Sequence, residues 1–124
     1  MKITQIRNAT LIIEYAGKRF LTDPMLGPKG SFPPYPFAES WERNPIVELP
    51  LSIDEILHNI DAVIATHYHY DHLDSTAFIV IPKGMKVFVK DERNRRLFIR
   101  KGFSNVEILN DSTYFGGIKL SKTQ

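Results

Sequence analysis

The sequence of 124 residues contains no cysteine. A disulfide framework, a thiolate metal site and a cysteine nucleophile are therefore excluded, and any metal ion must be held by histidine and carboxylate side chains. A large excess of positive charge is also lacking, since the sequence has 16 lysines and arginines and 14 acidic residues. The chain lacks the general positive electrostatic field that would hold a polyanion such as DNA, so nucleic acid is not the expected partner.

Long apolar runs are absent as well. No stretch approaches the ~18 residues that cross a membrane, and the N-terminal segment lacks the basic, apolar and small-residue regions of a secretion signal. With 43% hydrophobic and 24% charged residues, the composition is that of an ordinary globular domain. We expect a single cytoplasmic domain over 1–124 without a membrane partner.

Proline is concentrated in one part of the chain. Seven of the eight prolines lie in the segment 24–50, which is not expected to form regular structure. This proline-rich loop is interpreted either as a surface excursion or as a lid that faces a substrate. Before it, the runs ITQI, TLIIEY and KRFLTD predict an antiparallel β-meander.

Helices and strands alternate after the loop. Ser52 and Glu55 have the spacing of a capping box at a helix start, and DAVIAT predicts a buried strand. Next come a short helix capped by Asp74, a strand at KVFVK, a helix over DERNRRLFIRKG and a strand at NVEILN. A final hairpin turns at Gly116-Gly117. The order predicts an α/β fold in which helices flank a mixed β-sheet.

Three of the four histidines fall in the run THYHYDHLD. Along an extended chain side chains alternate, so His67, His69 and Asp71 point to one side. Two imidazoles at that spacing can bind one metal ion, and His72 can join from another direction where a second ion would sit. Ligands in α/β folds gather at the carboxyl ends of strands, where DAVIAT delivers this run. The remaining His58 is expected to have no ligand role.

The run from His67 to His72 matches the HxHxDH signature of the metallo-β-lactamase superfamily of metal-dependent hydrolases. Thr22-Asp23-Pro24, after a β-meander, also resembles the N-terminal part of that fold. Within the superfamily the chain most resembles the branch that includes the L-ascorbate-6-phosphate lactonases. The resemblance implies the N-terminal half of an αββα sandwich.

The resemblance also implies a set of ligands and a reaction. His67 and His69 would hold a first metal ion, Asp71 and His72 a second, and Asp23 would lie nearby and orient the ligands. One or two divalent ions, Zn²⁺ or Mn²⁺, would provide a metal-bound hydroxide for hydrolysis of an ester, lactone or phosphoester in a small-molecule substrate. Asp71 would be catalytic as well, since it can take the proton when that hydroxide attacks.

The chain departs from the complete superfamily pattern after the HxHxDH signature. The complete fold takes a third histidine, a bridging aspartate and a last histidine from its second half, but the sequence has no histidine beyond His72. We therefore expect an incomplete form whose uncovered sheet face self-associates or pairs with a missing C-terminal half. The 124-residue chain alone is expected to show little hydrolase activity.

Two alternatives stay open. Histidines from two copies of the chain could share a structural ion, which would make the protein a non-catalytic assembly module. A second alternative is an RNA-processing nuclease of the same superfamily, in which Arg93, Arg96 and Arg100 would bind phosphate from nearly one face of their helix. A solvated helix face explains the same arginines without a ligand.

Overall fold

The computed structural model describes residues 1–31, 42–68 and 73–122. Eight strands and three helices lie in these ranges, and they alternate as the sequence predicts. In chain order they are β1 (Lys2–Arg7), β2 (Thr10–Tyr15), β3 (Lys18–Thr22), α1 (Ile53–Leu57), β4 (Ala62–Ala65), α2 (Ser75–Val80), β5 (Lys86–Val89), α3 (Glu92–Arg100), β6 (Val106–Ile108), β7 (Thr113–Phe115) and β8 (Ile118–Leu120).

The first six strands form one mixed sheet in sequence order. β1, β2 and β3 pair antiparallel, as the predicted meander requires, and the turns between them lie at Asn8 and at Ala16-Gly17, where φ is positive. β3, β4, β5 and β6 pair parallel. Parallel neighbours need a long crossover connection, and α1, α2 and α3 provide one each. The predicted mixed sheet with flanking helices is confirmed.

Each helix begins at a side chain that accepts hydrogen bonds from the first turn. Ser52 and Glu55 form both bonds of a capping box at α1. Asp74 caps α2 and Asp91 caps α3, each by accepting from the backbone N–H three residues later. Such caps stabilise short helices by about 1 kcal/mol each, and α1 and α2 are only 5 and 6 residues long.

The two faces of the six-stranded sheet are covered differently. One face packs against the three helices and carries the main core, in which Leu21, Val63 and Val87 are completely buried. The other face is covered in part by the hairpin of β7 and β8. There Phe115 packs edge to face on Phe20 and Phe88, with ring centroids 5.8 and 5.6 Å apart.

The hairpin does not reach the whole of its sheet face. Ile3 pairs with Ile13, which packs at the margin of the smaller cluster, yet Ile3 itself is 55% exposed. Tyr15, two residues along the same strand from Ile13, is 50% exposed. The face that was expected to lie bare is therefore covered near β3 to β5 and open at the meander.

The proline-rich loop follows β3. Its described parts, 24–31 and 42–50, contain neither helix nor strand, as predicted. Residues 32–41 lie outside the described residues, so a lid in this loop stays a prediction. None of the helices in the described part of the chain has the length and apolar character needed to cross a bilayer.

Candidate functional site

The candidate site lies where two parallel strands end. Residues 66–68 follow the carboxyl end of β4, and Asp23 follows the carboxyl end of β3. Thr22 pairs with Ile64 in the sheet, and the backbone N–H of Asp23 donates to the Ile64 carbonyl at 2.9 Å. The sheet therefore brings Asp23 to Thr66, the first residue of the histidine segment 66–74, although 43 residues separate the two.

The Asp23 carboxylate is bound to Thr66. One of its oxygens accepts from the Thr66 backbone N–H at 2.6 Å, and the other accepts from the Thr66 hydroxyl at 2.5 Å. Asp23 is only 4% exposed and has a positive φ of 44°, a conformation that aspartate adopts more readily than most residues. Its carbonyl accepts from the Thr10 hydroxyl at 2.7 Å. These contacts hold the carboxylate in one place.

The Thr66 hydroxyl connects Asp23 to His67. Oγ1 of Thr66 lies 3.0 Å from Nδ1 of His67. A hydroxyl has one proton, and that proton goes to Asp23 because a carboxylate can only accept. Oγ1 must then accept from Nδ1–H, which places the lone pair of the neutral imidazole on Nε2. This arrangement favours the tautomer of His67 in which Nε2 is free of a proton.

Asp74 holds the other end of the histidine segment. Its Oδ1 accepts from the backbone N–H groups of Leu26 at 3.1 Å and Ala77 at 3.0 Å, and its Oδ2 accepts from Gly27 at 2.7 Å. A Cβ on Gly27 would lie 2.9 Å from that Oδ2, so a larger residue would push the carboxylate away. Asp74 thus caps α2 and binds the segment that follows Asp23.

Arg7 binds the carbonyl groups of the same segment. Its Nη2 donates to the carbonyls of Met25 at 2.7 Å and Gly27 at 2.6 Å, and its Nη1 donates to the Val47 carbonyl at 3.2 Å. Arg7 is 3% exposed. Burial lowers the pKa of its guanidinium, and the charge of Asp74 acts in the opposite direction. Arg7 and Asp74 together fix residues 25–27 beside the candidate site.

Only part of the predicted ligand set falls in the described residues. His67 is exposed at the end of β4, with Asp23 behind it. The predicted ligands His69, Asp71 and His72 lie outside the described residues. Within 1–31, 42–68 and 73–122, no three histidine, aspartate or glutamate side chains form a group that could hold a metal ion. His58 is exposed at the end of α1, near the opposite end of β4.

Two cavities meet at His67. The smaller, of about 420 Å³, lies between His67 and α3, and the larger, of about 660 Å³, lies among the ends of β4, β6 and β8. Tyr68 borders the smaller cavity, is 47% exposed and packs on Phe78 with ring centroids 6.2 Å apart. His67 therefore faces enough open space for a small molecule.

Sequence reasoning missed two of the residues that shape this site. Thr66 directly precedes the HxHxDH signature, and a hydroxyl residue at that position was the available signal. Arg7 gave no signal, because an arginine at a strand end is ordinary and its partners are backbone carbonyls far along the chain.

Comparison with known proteins gives relatives of about twice this length. No family model matches the chain. The UPF0173 protein YddR of Bacillus subtilis strain 168 is 50% identical over 125 residues, which cover 100% of this chain and 49% of that protein. A UPF0282 protein of Korarchaeum cryptofilum is 33% identical over 128 residues, which cover 90% of this chain and 41% of that protein. The chain spans about half the length of these curated relatives.

Two solved structures resemble the chain closely. One is a possible metal-dependent hydrolase from Veillonella parvula DSM 2008, with a TM-score of 0.89 and 40% identity over 93% of this chain and 44% of that chain. The other is an isothiocyanate hydrolase from Delia radicum gut bacteria, with a TM-score of 0.87 and 44% identity over 94% of this chain and 44% of that chain. The predicted fold class, half of a metallo-β-lactamase sandwich, is confirmed, and the chain has the fold of these hydrolases.

Proposed function

We propose that this chain carries the first part of a metal-dependent hydrolase site, located at the carboxyl end of β4. The hydrogen-bonded series from Asp23 through Thr66 to His67 is the observation that supports it most directly. A buried carboxylate that fixes the tautomer of an imidazole at a strand end is the arrangement found behind metal-binding histidines. The hydrolase fold of the two structural neighbours supports the same conclusion.

The donor set suits a divalent ion of the first transition series. Neutral imidazole and carboxylate bind Zn²⁺ and Mn²⁺, and the chain has no thiolate to favour a softer ion. In this proposal His67 and His69 would hold one ion, and Asp71 and His72 would hold a second. When bound there, such an ion supplies Lewis acidity and lowers the pKa of water towards ~7.

The chain's own residues would hold the reactants and move one proton. Asp23 would act through Thr66 to hold the His67 imidazole in the tautomer that leaves Nε2 able to bind a cation. Asp71 would take the proton released when water adds to the substrate and would return it to the leaving group as the scissile bond breaks. The substrate is an ester, lactone or phosphoester, or an isothiocyanate like that of the named neighbour, whose carbon also accepts activated water. The closer likeness to the L-ascorbate-6-phosphate lactonases stays a prediction.

The open part of the sheet face is relevant to whether this chain forms the complete hydrolase site. Ile3 and Tyr15 are about half exposed there, and the chain spans about half the length of its relatives. We infer that this surface is covered either by the remaining half of a longer chain or by a second copy. Hydrolysis at a normal rate would then require that cover and the ligands it brings. Metal content separates the possibilities, since one half ion per chain indicates an ion shared by two copies.

Metal binding tests the proposal, and the chain offers a matched control. His67→Ala should weaken Zn²⁺ binding by more than the ~10-fold loss typical of removing a residue behind a ligand. His58→Ala, also an exposed histidine but near the opposite end of β4, should bind as the parent does. Competition with a chromophoric zinc chelator measures both affinities, and circular dichroism verifies that both variants fold. Equal affinity of the His67→Ala variant and the parent would contradict the proposal.

A further inference from the structure

The four arginines of α3 fall into two pairs with different surroundings. Arg95 and Arg96 both bind the carboxylate of Glu92, at 2.7 and 3.3 Å. Arg93 and Arg100 form no ion pair with any other described residue. Glu92 is therefore already bound by Arg95 and Arg96. The guanidinium groups of Arg93 and Arg100 have no carboxylate partner within the described part of the chain.

Arg93 and Arg100 face the candidate site. They are seven residues apart, which is about two helical turns, so they lie on the same side of α3. Both line the cavity of about 420 Å³ beside His67 and Tyr68, and Lys90 lines it as well. Arg95 and Arg96 do not line this cavity. The arginine stripe predicted over 93, 96 and 100 is thus split by Glu92.

The described residues that line this cavity carry a net positive charge. Among the described residues its single acidic lining residue is Asp91, which caps α3, and the Asn94 backbone N–H that donates to it lowers the pKa of the carboxyl. Three cationic side chains and this one carboxylate give the described lining residues a net charge of two positive units. A concave surface concentrates such a field, and guanidinium groups bind phosphate or carboxylate through paired hydrogen bonds.

We propose that Arg93, Arg100 and Lys90 form an anion subsite that binds the phosphate or carboxylate group of the substrate while its scissile bond lies at His67. The inference rests on the proposed function in placing the reaction at His67. A cavity of about 420 Å³ fits a small molecule, since ligand pockets commonly measure ~300–1,000 Å³. Tyr68, which is 47% exposed and lines the same cavity, gives that molecule an apolar contact. The substrate is accordingly a small compound with one compact anionic group.

Binding of inorganic phosphate to metal-free protein tests the subsite separately from the metal site. The double variant Arg93→Gln/Arg100→Gln should weaken phosphate binding by about ten-fold or more, as loss of charged hydrogen bonds does. The double variant Arg95→Gln/Arg96→Gln removes the same charge from the same helix and should change it less than about two-fold. Amide chemical shifts followed during titration in the presence of EDTA give the dissociation constants and confirm the fold of each variant.

Selective loss of phosphate binding in the first double variant supports the subsite, and competition by acetate then separates a carboxylate from a phosphate preference. No phosphate binding by the parent, or equal weakening in both double variants, would overturn it. Binding of single-stranded RNA that both double variants reduce alike would also overturn it, in favour of a general basic helix face. Loss of zinc affinity in His67→Ala decides the proposed function independently of these results.

Discussion

Asp23 and Asp74 are buried aspartates at the two ends of the histidine segment, and their carboxylates have different partners. Asp74 accepts from three backbone N–H groups and from no side chain in the described residues. Asp23 accepts from the Thr66 backbone N–H and from the Thr66 hydroxyl, which in turn contacts His67. The Asp74 carboxylate holds the backbone in place, and the Asp23 carboxylate also influences, through Thr66, the tautomer of the His67 imidazole. Stability and metal affinity should therefore respond differently to changes at the two positions.

Asp23 and Asp74 both connect the segment after β3 with the segment after β4, and each belongs to a different one of the two segments. Asp23 belongs to the segment after β3 and reaches the segment after β4, while Asp74 belongs to the latter and reaches back to Leu26 and Gly27. Two connections at separate points prevent the segments from sliding or rotating against each other. The candidate site is thus positioned by side chains outside the predicted ligand set.

The largest effect is expected at Asp74. Asp74→Ala leaves the buried N–H groups of Leu26 and Gly27 without an acceptor, uncaps α2 and removes a negative charge near the buried Arg7. The free energy of unfolding should fall by about 3–5 kcal/mol, measured by urea denaturation. Asp74→Asn keeps a capping oxygen and should lose less. An unchanged urea midpoint for Asp74→Ala would remove the structural role assigned to this carboxylate.

A smaller and more specific effect is expected at Thr66. Thr66→Val keeps the shape of the side chain but removes the hydroxyl between Asp23 and His67. Zinc affinity should fall by about 10–100-fold, as when a partner behind a metal ligand is lost. The free energy of unfolding should fall by only about 1 kcal/mol. Thr66→Ser should restore the affinity, since serine retains the hydroxyl.

Nitrogen chemical shifts of His67 provide a second measurement for the same variant. In the parent at a pH where the imidazole is neutral, Nδ1 should carry the proton, and in Thr66→Val the two tautomers should mix. A parent protein with the proton on Nε2 would show that the Asp23 and Thr66 series does not set the tautomer. Metal affinity unchanged by Thr66→Val would lead to the same conclusion.

The smallest effect concerns Glu92, a partly exposed acid that contrasts with the two buried aspartates. The Arg95 hydrogen bond lowers the pKa of Glu92 from 4.5 to about 2, with Arg96 contributing. A lowered pKa in the folded state gives stability that is present above the unfolded value and is lost as pH falls from 4.5 towards 2. Thermal midpoints of the parent and Glu92→Gln should therefore differ slightly at pH 7 and converge on acidification. A difference that stays constant down to pH 3 would contradict this assignment.

Features that depend on neighbouring residues were predictable from the sequence. The capping box of Ser52 and Glu55 and the caps at Asp74 and Asp91 each connect residues three apart. The turn at Gly116-Gly117 needs positive φ at both residues, which glycine provides at little cost. The alternation of helices and strands after the proline-rich loop was predicted from the same short-range signals. These signals fix the elements and the mixed sheet.

Features that join distant residues were not predictable in the same way. The three arginines on one predicted face of α3 looked alike, and only the side-chain positions reveal that Arg96 binds Glu92 while Arg93 and Arg100 line a cavity. A helical wheel gives the direction of a side chain but does not show which carboxylate binds it. The hairpin of β7 and β8 was predicted, but not its packing over Phe20 and Phe88.

The sequence by itself determined the helices and strands, their alternation and the position of a histidine-rich run after a strand, because each depends on spacing over a few residues. The family resemblance suggested Asp23 as a neighbour of that run, but only the tertiary structure decided which atoms contact it. Asp23 meets Thr66 across 43 residues and Asp74 meets Gly27 across 47, through contacts that only the register of β3 on β4 creates. A hydrogen bond needs its two atoms within about 3 Å. Separation along the chain carries no information about that distance.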